Sequence, residues 1–232
     1  MKRKKIVVLT GAGVSAESGL STFRDAGGLW EGHDVQDVAS PQGFAKDPEL
    51  VLRFYNERRR QLKKVEPNEA HFAIARLESK YNVIVVTQNV DNLHERAGST
   101  NIIHLHGELT QAKSTLPPFN VYDVGYEDIA LGDVCEKGGQ LRPNIVWFGE
   151  SVPLMTDAAI AAGSADIFIV VGTSLVVYPA AGLIDYVNSD AFKYIVDPNK
   201  PNVYGIHKNL EFITQKATKG MVPLAEKLLS EK

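Results

Sequence analysis

The sequence predicts an α/β fold, a doubly wound parallel sheet that carries a second, smaller domain formed by two insertions. Three observations predict it. Short β-branched runs recur along the chain, a polar cluster follows the main ones, and helix-like stretches separate them. The clusters are GAGVSAESGLSTFRD from Gly11, QNVD from Gln88 and GTS from Gly172. Ligands of open parallel sheets bind outside the carboxyl ends of the strands, so clusters in that position converge on one crevice.

Residues 5–10, 83–87, 167–171 and 194–196 read as buried strands, with 212–214 a weaker fifth. Their continuous apolar character suits strands covered on both faces. Between them, 68–79, 157–162 and 179–188 read as helices, and a last helix starts near Pro223. Two segments break the rhythm. Residues 27–65 carry Gly-Gly, an Ala39-Ser40-Pro41 turn and a long helix from Pro48, and residues 108–142 are rich in turn formers. Within the latter, 113–125 with Pro117-Pro118 reads as a loop. The expected division is a Rossmann-like domain over 1–26, 66–107 and 143–232, with the small domain over 27–65 and 108–142.

Composition bounds the function. A chain of 232 residues at 44% hydrophobic content supports one large or two small domains with a real core. Twenty-five basic against 28 acidic residues, net charge −3, give no broad attraction for nucleic acid or an anionic membrane. The basic start at Lys2 to Lys5 runs into an apolar stretch that ends in glycines, so no signal peptide is read. No apolar run approaches the ~20 residues needed to span a bilayer. A cytoplasmic protein is expected, with neither nucleic acid nor membrane as partner; the oligomeric state is not legible. The single Cys135 excludes an internal disulfide and any site of several cysteines.

Gly11-Ala12-Gly13-Val14-Ser15-Ala16 satisfies G-x-G-x-x-A directly after a strand, where glycines let backbone amides approach a pyrophosphate. A tight strand-to-helix turn is the plain alternative. A hydride-transfer site also wants a second strand ending in an acidic residue about 20 residues on. Here residues 27–34 are a glycine-rich loop, so that fingerprint is incomplete. TQNVDNLH from Thr87 follows a strand, and Leu105-His106-Gly107 lies shortly after. Amides fork around ribose hydroxyls or a carboxamide, Asp accepts, and His titrates near neutrality, so together they can hold and deprotonate a sugar hydroxyl. His104 shares a face with His106 if the segment is extended. That raises a metal-ligand reading, but no cysteine or second histidine pair supports it. His71 and His94 read as structural or surface residues.

These words, followed by RPNIVWFGE from Arg142 and VGTSLVVYPAA from Val171, resemble in content and order the sirtuins, the NAD-dependent protein deacylases. The likeness covers roughly residues 5–229. It implies NAD as cofactor, with Gly11, Ala12, Gly13, Ala16, Thr22, Phe23 and Arg24 along its diphosphate and nicotinamide side. It implies Gln88, Asn89 and Asp91 at the ribose and nicotinamide, His106 as general base, and Asn89 and Asp91 as catalytic positioners. At the adenosine end it implies Gly172, Thr173, Ser174 and Ala217. The family has an Asn directly after the next strand where this chain has Asp197-Pro198-Asn199, so Asp197 and Asn199 both stand as ribose candidates. The implied products are free lysine, nicotinamide and O-acyl-ADP-ribose.

The resemblance further implies an acyl-lysine protein or peptide bound as an extended strand, with Val146, Trp147, Phe148 and Gly149 along its tunnel. Projected at 100° per residue, Val51, Phe54, Tyr55 and Leu62 form one stripe of the long helix, with Arg58 inside it, Arg59 at its edge and Arg60 opposite. Tyr55 and Arg58, one turn apart, can clamp a carboxylate. With Ala39, this Y-x-x-R pair resembles sirtuins that remove succinyl, malonyl or glutaryl groups. Most sirtuins also carry two C-x-x-C zinc pairs between the H-G and R-P segments. Only Cys135 falls in that interval here, with Ser114 near an expected ligand position, so no zinc is expected. Apolar contacts from Leu116, Phe119, Val121, Tyr122, Tyr126, Ile129 and Leu131 are expected to hold the small domain instead. An NAD hydrolase or mono-ADP-ribosyltransferase, and a catalytically weak NAD or acyl-lysine sensor, stand as alternative functions.

Overall fold

A computed structural model of the chain describes residues 3–21, 29–30, 32–201, 203 and 208–231. Strand β1 (Lys5–Thr10) runs into the single-turn helix α1 (Gly13–Ala16). A two-residue pairing, β2 (Leu29–Trp30) with β3 (His33–Asp34), leads to α2 (Val35–Val38), α3 (Pro41–Lys46) and α4 (Pro48–Leu62). The chain returns through α5 (Glu69–Arg76) and a 3₁₀ turn (Leu77–Ser79) to β4 (Asn82–Thr87), α6 (Leu93–Arg96) and β5 (Ile102–His104). Strands β6 (Gly107–Ser114), β7 (Val121–Asp123) and β8 (Leu141–Ile145) follow. The last stretch is α7 (Met155–Gly163), β9 (Ile167–Val171), a 3₁₀ helix (Ala180–Tyr186), β10 (Phe192–Val196), β11 (Leu210–Ile213) and α8 (Ala217–Ser230).

Six strands form one sheet in the order β11-β10-β9-β1-β4-β5, and every pairing is parallel. The chain moves outward from β1 in both directions, so the sheet is doubly wound and its switch point lies between β1 and β9. Alternation within β1 explains its apolar run. Ile6 and Val8 face a core shared with α5 and α8, while Val7 and Leu9 face one shared with α7 and the 3₁₀ helix. All four are fully buried.

The expected strands are present, with extended ends, and β5 adds a sixth at the edge. The last helix starts at Ala217, six positions before the Pro223 that reads as its opening; Pro223 is accommodated inside it. Residues 113–125 are not a loop. Lys113 and Ser114 end β6 and pair through Lys113↔Val121 with β7, so the segment is a hairpin of the antiparallel sheet β7-β6-β8. No helix among the described residues is long and apolar enough to cross a membrane.

Helices α2 to α4 pack against this small sheet through Val38, Val51, Phe54, Leu62, Leu109 and Ile145. The apolar residues expected to hold the 108–142 segment do so only in part. Leu116, Phe119, Val121 and Leu131 are exposed, while Ile129 is buried against Leu52 and Ala112 and Tyr126 packs on the cluster of Val51, Phe54 and Leu109. Polar tethers from α4 add to these contacts. The Asn56 amide donates to the Ile129 carbonyl at 2.9 Å and accepts the Ile129 N–H at 3.0 Å. Arg59, at the edge of the helical stripe, is fully buried; it donates from Nε to the Leu109 carbonyl at 2.7 Å and from Nη1 to Asn56. Burial, partly offset by Asp128, pulls its pKa down to about 10, which still leaves it charged at neutral pH. Arg60 reaches the same segment by pairing with Asp128. Ser114 donates to the Cys135 sulfur at 3.2 Å across the sheet.

Truncating Asn56 removes both bonds to Ile129 and one to Arg59 from a dry site. Asn56→Ala is expected to lower unfolding free energy by about 2–3 kcal/mol, measured by urea denaturation. A loss below about 0.5 kcal/mol would show that the apolar contacts suffice.

Candidate active site

The ends of β1 and β9 meet at two glycines. Gly172 has φ +62°, and a Cβ added there would lie 2.4 Å from the Val14 nitrogen; one on Gly13 would lie 2.7 Å from the Gly172 Cα. The glycines of the G-x-G word therefore serve the packing of one loop on the other, which the Gly13 N–H to Gly172 carbonyl bond at 2.9 Å secures. Their approach opens a cavity of about 750 Å³ above the switch point.

The cavity gathers residues that the sequence scatters. Gly11, Ala12, Gly13 and Ala16 line it beside Gly172, Thr173 and Ser174, with Asp197, Asn199 and Ala217 at the same end. Gln88, Asn89, Asp91 and His106 lie in its middle, and Ala39, Tyr55, Arg58, Val146, Trp147, Phe148 and Gly149 in its remainder. Thr22, Phe23 and Arg24 lie outside the described residues. Asp197 is buried and accepts the Asn199 N–H at 2.9 Å, so the two ribose candidates are joined in one turn.

The middle of the cavity is a hydrogen-bonded network. Ser15 donates to Asp91 Oδ2 at 2.9 Å and accepts from the Asn89 amide at 3.1 Å. His71 lies beneath, with Nε2 3.4 Å from the Ser15 hydroxyl and Nδ1 accepting the Asn68 N–H. This fixes His71 as a neutral ring that donates from Nε2. The Asn89 N–H rests on the Thr87 hydroxyl, which takes the Thr10 proton at 2.9 Å, and Thr10 is 3.0 Å from His94 Nε2. His71 and His94 are thus fully buried supports of the site, and the surface alternative for them is excluded. Ser15 is the main residue that sequence reasoning missed. Its place two residues beyond the second glycine of the strand-end loop was the available signal.

Partners also set the chemistry. His106 donates from Nδ1 to the Gln88 carbonyl at 3.0 Å, which leaves Nε2 as its basic nitrogen. Burial lowers its pKa against the opposing pull of that bond, so the ring stays neutral to below its usual range. Burial raises the Asp91 carboxyl, while bonds from the Leu93 N–H and Ser15 hold it back. Glu95, His104 and Glu108 place ligand-type atoms within 4.8 Å of one another. His104 Nε2 and Glu95 Oε1 are 2.7 Å apart, a hydrogen-bonded contact that ties the imidazole to the carboxylate.

In the last part of the cavity, Trp147 is buried between the rings of Phe44 and Tyr55. Arg142 stacks on it at 3.6 Å and pairs with Glu150, which also accepts the Trp147 N–H at 2.8 Å. The Trp147 indole donates to the Tyr55 hydroxyl at 3.0 Å, and among the described residues nothing accepts the Tyr55 proton. Burial raises the Tyr55 pKa, so it remains a phenol. Arg58 lies over the Phe54 ring at 4.5 Å, with Nε and Nη1 buried and unpartnered among the described residues. Phe148 is exposed, and its N–H is spent on the Ala39 carbonyl.

A model of the Sir2 family matches residues 11–179. The chain belongs to the Sir2 family. Among curated Sir2 relatives, an NAD-dependent protein deacylase of Helicobacter pylori is 52% identical over 97% of this chain and 96% of its own length. One of Bacteroides thetaiotaomicron is 51% identical over 97% and 98%. A solved Sir2 homolog–NAD complex superposes with a TM-score of 0.87 at 40% identity, covering 98% of this chain and 90% of that one. A Sir2 complex with a p53 peptide and NAD+ gives 0.81 at 32% identity, over 99% and 95%.

The buried histidines make Sir2-fold stability pH-dependent in this chain. Burial pulls His71 to about 4 and lowers His94 and His106. The unfolded chain binds these protons more readily, so stability rises with pH between the lowered values and about 6.5. His71 alone is expected to cost about 2 kcal/mol at pH 5 relative to pH 7.5. Urea unfolding at the two pH values checks this, and equal stability at both would contradict it.

Proposed function

We propose that the chain is an NAD-dependent protein-lysine deacylase that accepts acidic acyl groups as well as acetyl. The deacylase part rests on membership in the Sir2 family and on a cavity that suits a dinucleotide. Its volume falls in the range of about 300–1,000 Å³ typical of cofactor sites, and its middle offers neutral amides and hydroxyls suited to ribose and carboxamide groups. Bound NAD supplies a sugar carbon activated by its nicotinamide leaving group. His106, neutral and basic at Nε2, takes a ribose proton as general base. Asn89 and Asp91, held by Ser15, orient the nicotinamide ribose. Gly11, Ala12, Gly13 and Ala16 flank the diphosphate with Thr22, Phe23 and Arg24. Gln88, Thr173 and Ser174 serve the riboses, with Gly172 in the turn, and Asp197, Asn199 and Ala217 take the adenosine end.

The acyl-lysine protein or peptide lies along Val146, Trp147, Phe148 and Gly149. We place the domain division as the sequence expects, with β8 crossing the 142/143 boundary to pair on the small sheet.

The observation that carries the acidic-acyl reading is Arg58. Arg58 is half-buried and its Nη2 lies 3.7 Å from Glu57, but its Nε and Nη1 are buried without a partner among the described residues. Two donors are therefore left for an anion, and the Tyr55 hydroxyl one turn away has a proton to give. A dicarboxylic acyl chain such as succinyl supplies the missing acceptor.

Matched succinyl-lysine and acetyl-lysine peptides with NAD, followed by mass for free lysine peptide and O-acyl-ADP-ribose, test both parts. Arg58→Met is expected to depress desuccinylation on the order of 10- to 100-fold while deacetylation stays within about threefold. Equal losses would sink the acidic-acyl reading. Nicotinamide release that needs no acyl peptide would instead favour an NAD hydrolase.

A further inference from the structure

His104 differs from the other buried histidines because both ring nitrogens face groups that can only accept. Nδ1 lies 3.3 Å from the Asn89 carbonyl oxygen and Nε2 lies 2.7 Å from Glu95 Oε1. Neither a carbonyl nor a carboxylate has a proton to offer, so only the imidazolium satisfies both contacts. His71, by contrast, meets an N–H and a hydroxyl, and His94 meets a hydroxyl. Both are served by neutral rings.

The contact made by Nδ1 bears on the reaction loop. The end of β5 and the two residues after it close over that loop one carbonyl at a time: the Leu105 N–H takes Thr87, His106 takes Gln88 and His104 takes Asn89. We propose that His104, kept as an imidazolium by Glu95, is a positioning residue that fixes the Asn89 main chain and hence the direction of its side-chain amide. This rests on the deacylase reading above. A neutral ring serves only one acceptor. Glu95, the charged one, keeps it, and Asn89 is released.

The groups facing His104 come from three elements: Glu95 and His94 on α6, Glu108 on β6, and Asp91 on the loop. Burial disfavours its charge, but Glu95 first, then Glu108 and the Asn89 carbonyl, outweigh it and raise the pKa. A raised value means the clamp is complete below about 6.5 and is lost as pH climbs through the folded value. Loss of His104 charge thus shapes the basic limb of activity, and His106 protonation shapes the acidic one.

Glu95→Gln tests this on a half-exposed side chain that keeps its shape and an acceptor oxygen. Ring-nitrogen NMR of His104 from pH 5.5 to 9 is recorded for both proteins, with kcat and KM for an acyl peptide. The wild type is expected to show both nitrogens protonated at pH 7. In the variant the His104 pKa falls by about one unit or more. The basic limb of kcat moves down with it and kcat at pH 8 drops about tenfold, while peptide KM stays within about twofold. A neutral wild-type ring at pH 7 overturns the proposal, as does a variant whose His104 titration shifts without moving the kcat profile. Inactivity of both proteins on every acyl peptide would sink the deacylase reading instead, and the ring titration would still decide the charge of His104.

Discussion

The backbone of Gly13 lies against that of Gly172, and the cavity exists because it does. Two parallel strands end side by side at the switch point of the sheet, and their loops turn in opposite directions. A side chain on either glycine would force the loops apart. With the loops in contact, the strand-end polar clusters share one volume, and Gln88 on the next strand reaches Thr173 at 3.2 Å to close it.

Around that contact, three buried histidines and the half-buried His106, with one intrinsic chemistry, are sorted by their partners. His71 is a neutral donor because an N–H occupies its other nitrogen. His106 is a neutral base because a carbonyl takes its Nδ1 proton. His104 faces two acceptors and holds a charge. His94, pressed against the His71 ring at 4.9 Å, is kept neutral chiefly by burial. Proton inventory in this site follows from hydrogen-bond geometry, with burial setting how firmly each state is held.

The small domain shows a division of labour along α4. One side buries Val51, Phe54 and Leu62, while Asn56 and Arg59 reach across to the 108–142 segment with hydrogen bonds that burial makes costly to leave unmade. Tyr55 and Arg58 on the same helix line the cavity, with Trp147 holding the phenol in place. The helix that anchors the small sheet therefore also shapes one wall of the cavity. Tethering through Asn56 and Arg59 on one side and two unpartnered Arg58 nitrogens on the other are two uses of the same stretch of chain.

Much of this was legible in the sequence. Continuous β-branched runs located the parallel strands because a strand covered on both faces has no polar alternation to maintain. The strand-end words, the Tyr55–Arg58 helix and the family resemblance together named twenty-one residues that line one cavity. The order of those words also carried the family. Tertiary structure decided what the chain's own periodicity does not encode, namely which element stands opposite each residue. Helical projection put Arg59 at the edge of a stripe, yet it is fully buried, with its Nε on the Leu109 carbonyl opposite. An apolar clamp was expected to include Leu116 and Phe119, yet both are exposed, and Ile129 packing on Leu52 shares the joining with Asn56. Protonation of His104 belongs to the same class, because it depends on Glu95 and the Asn89 carbonyl meeting one ring from two directions, and only folding brings them there.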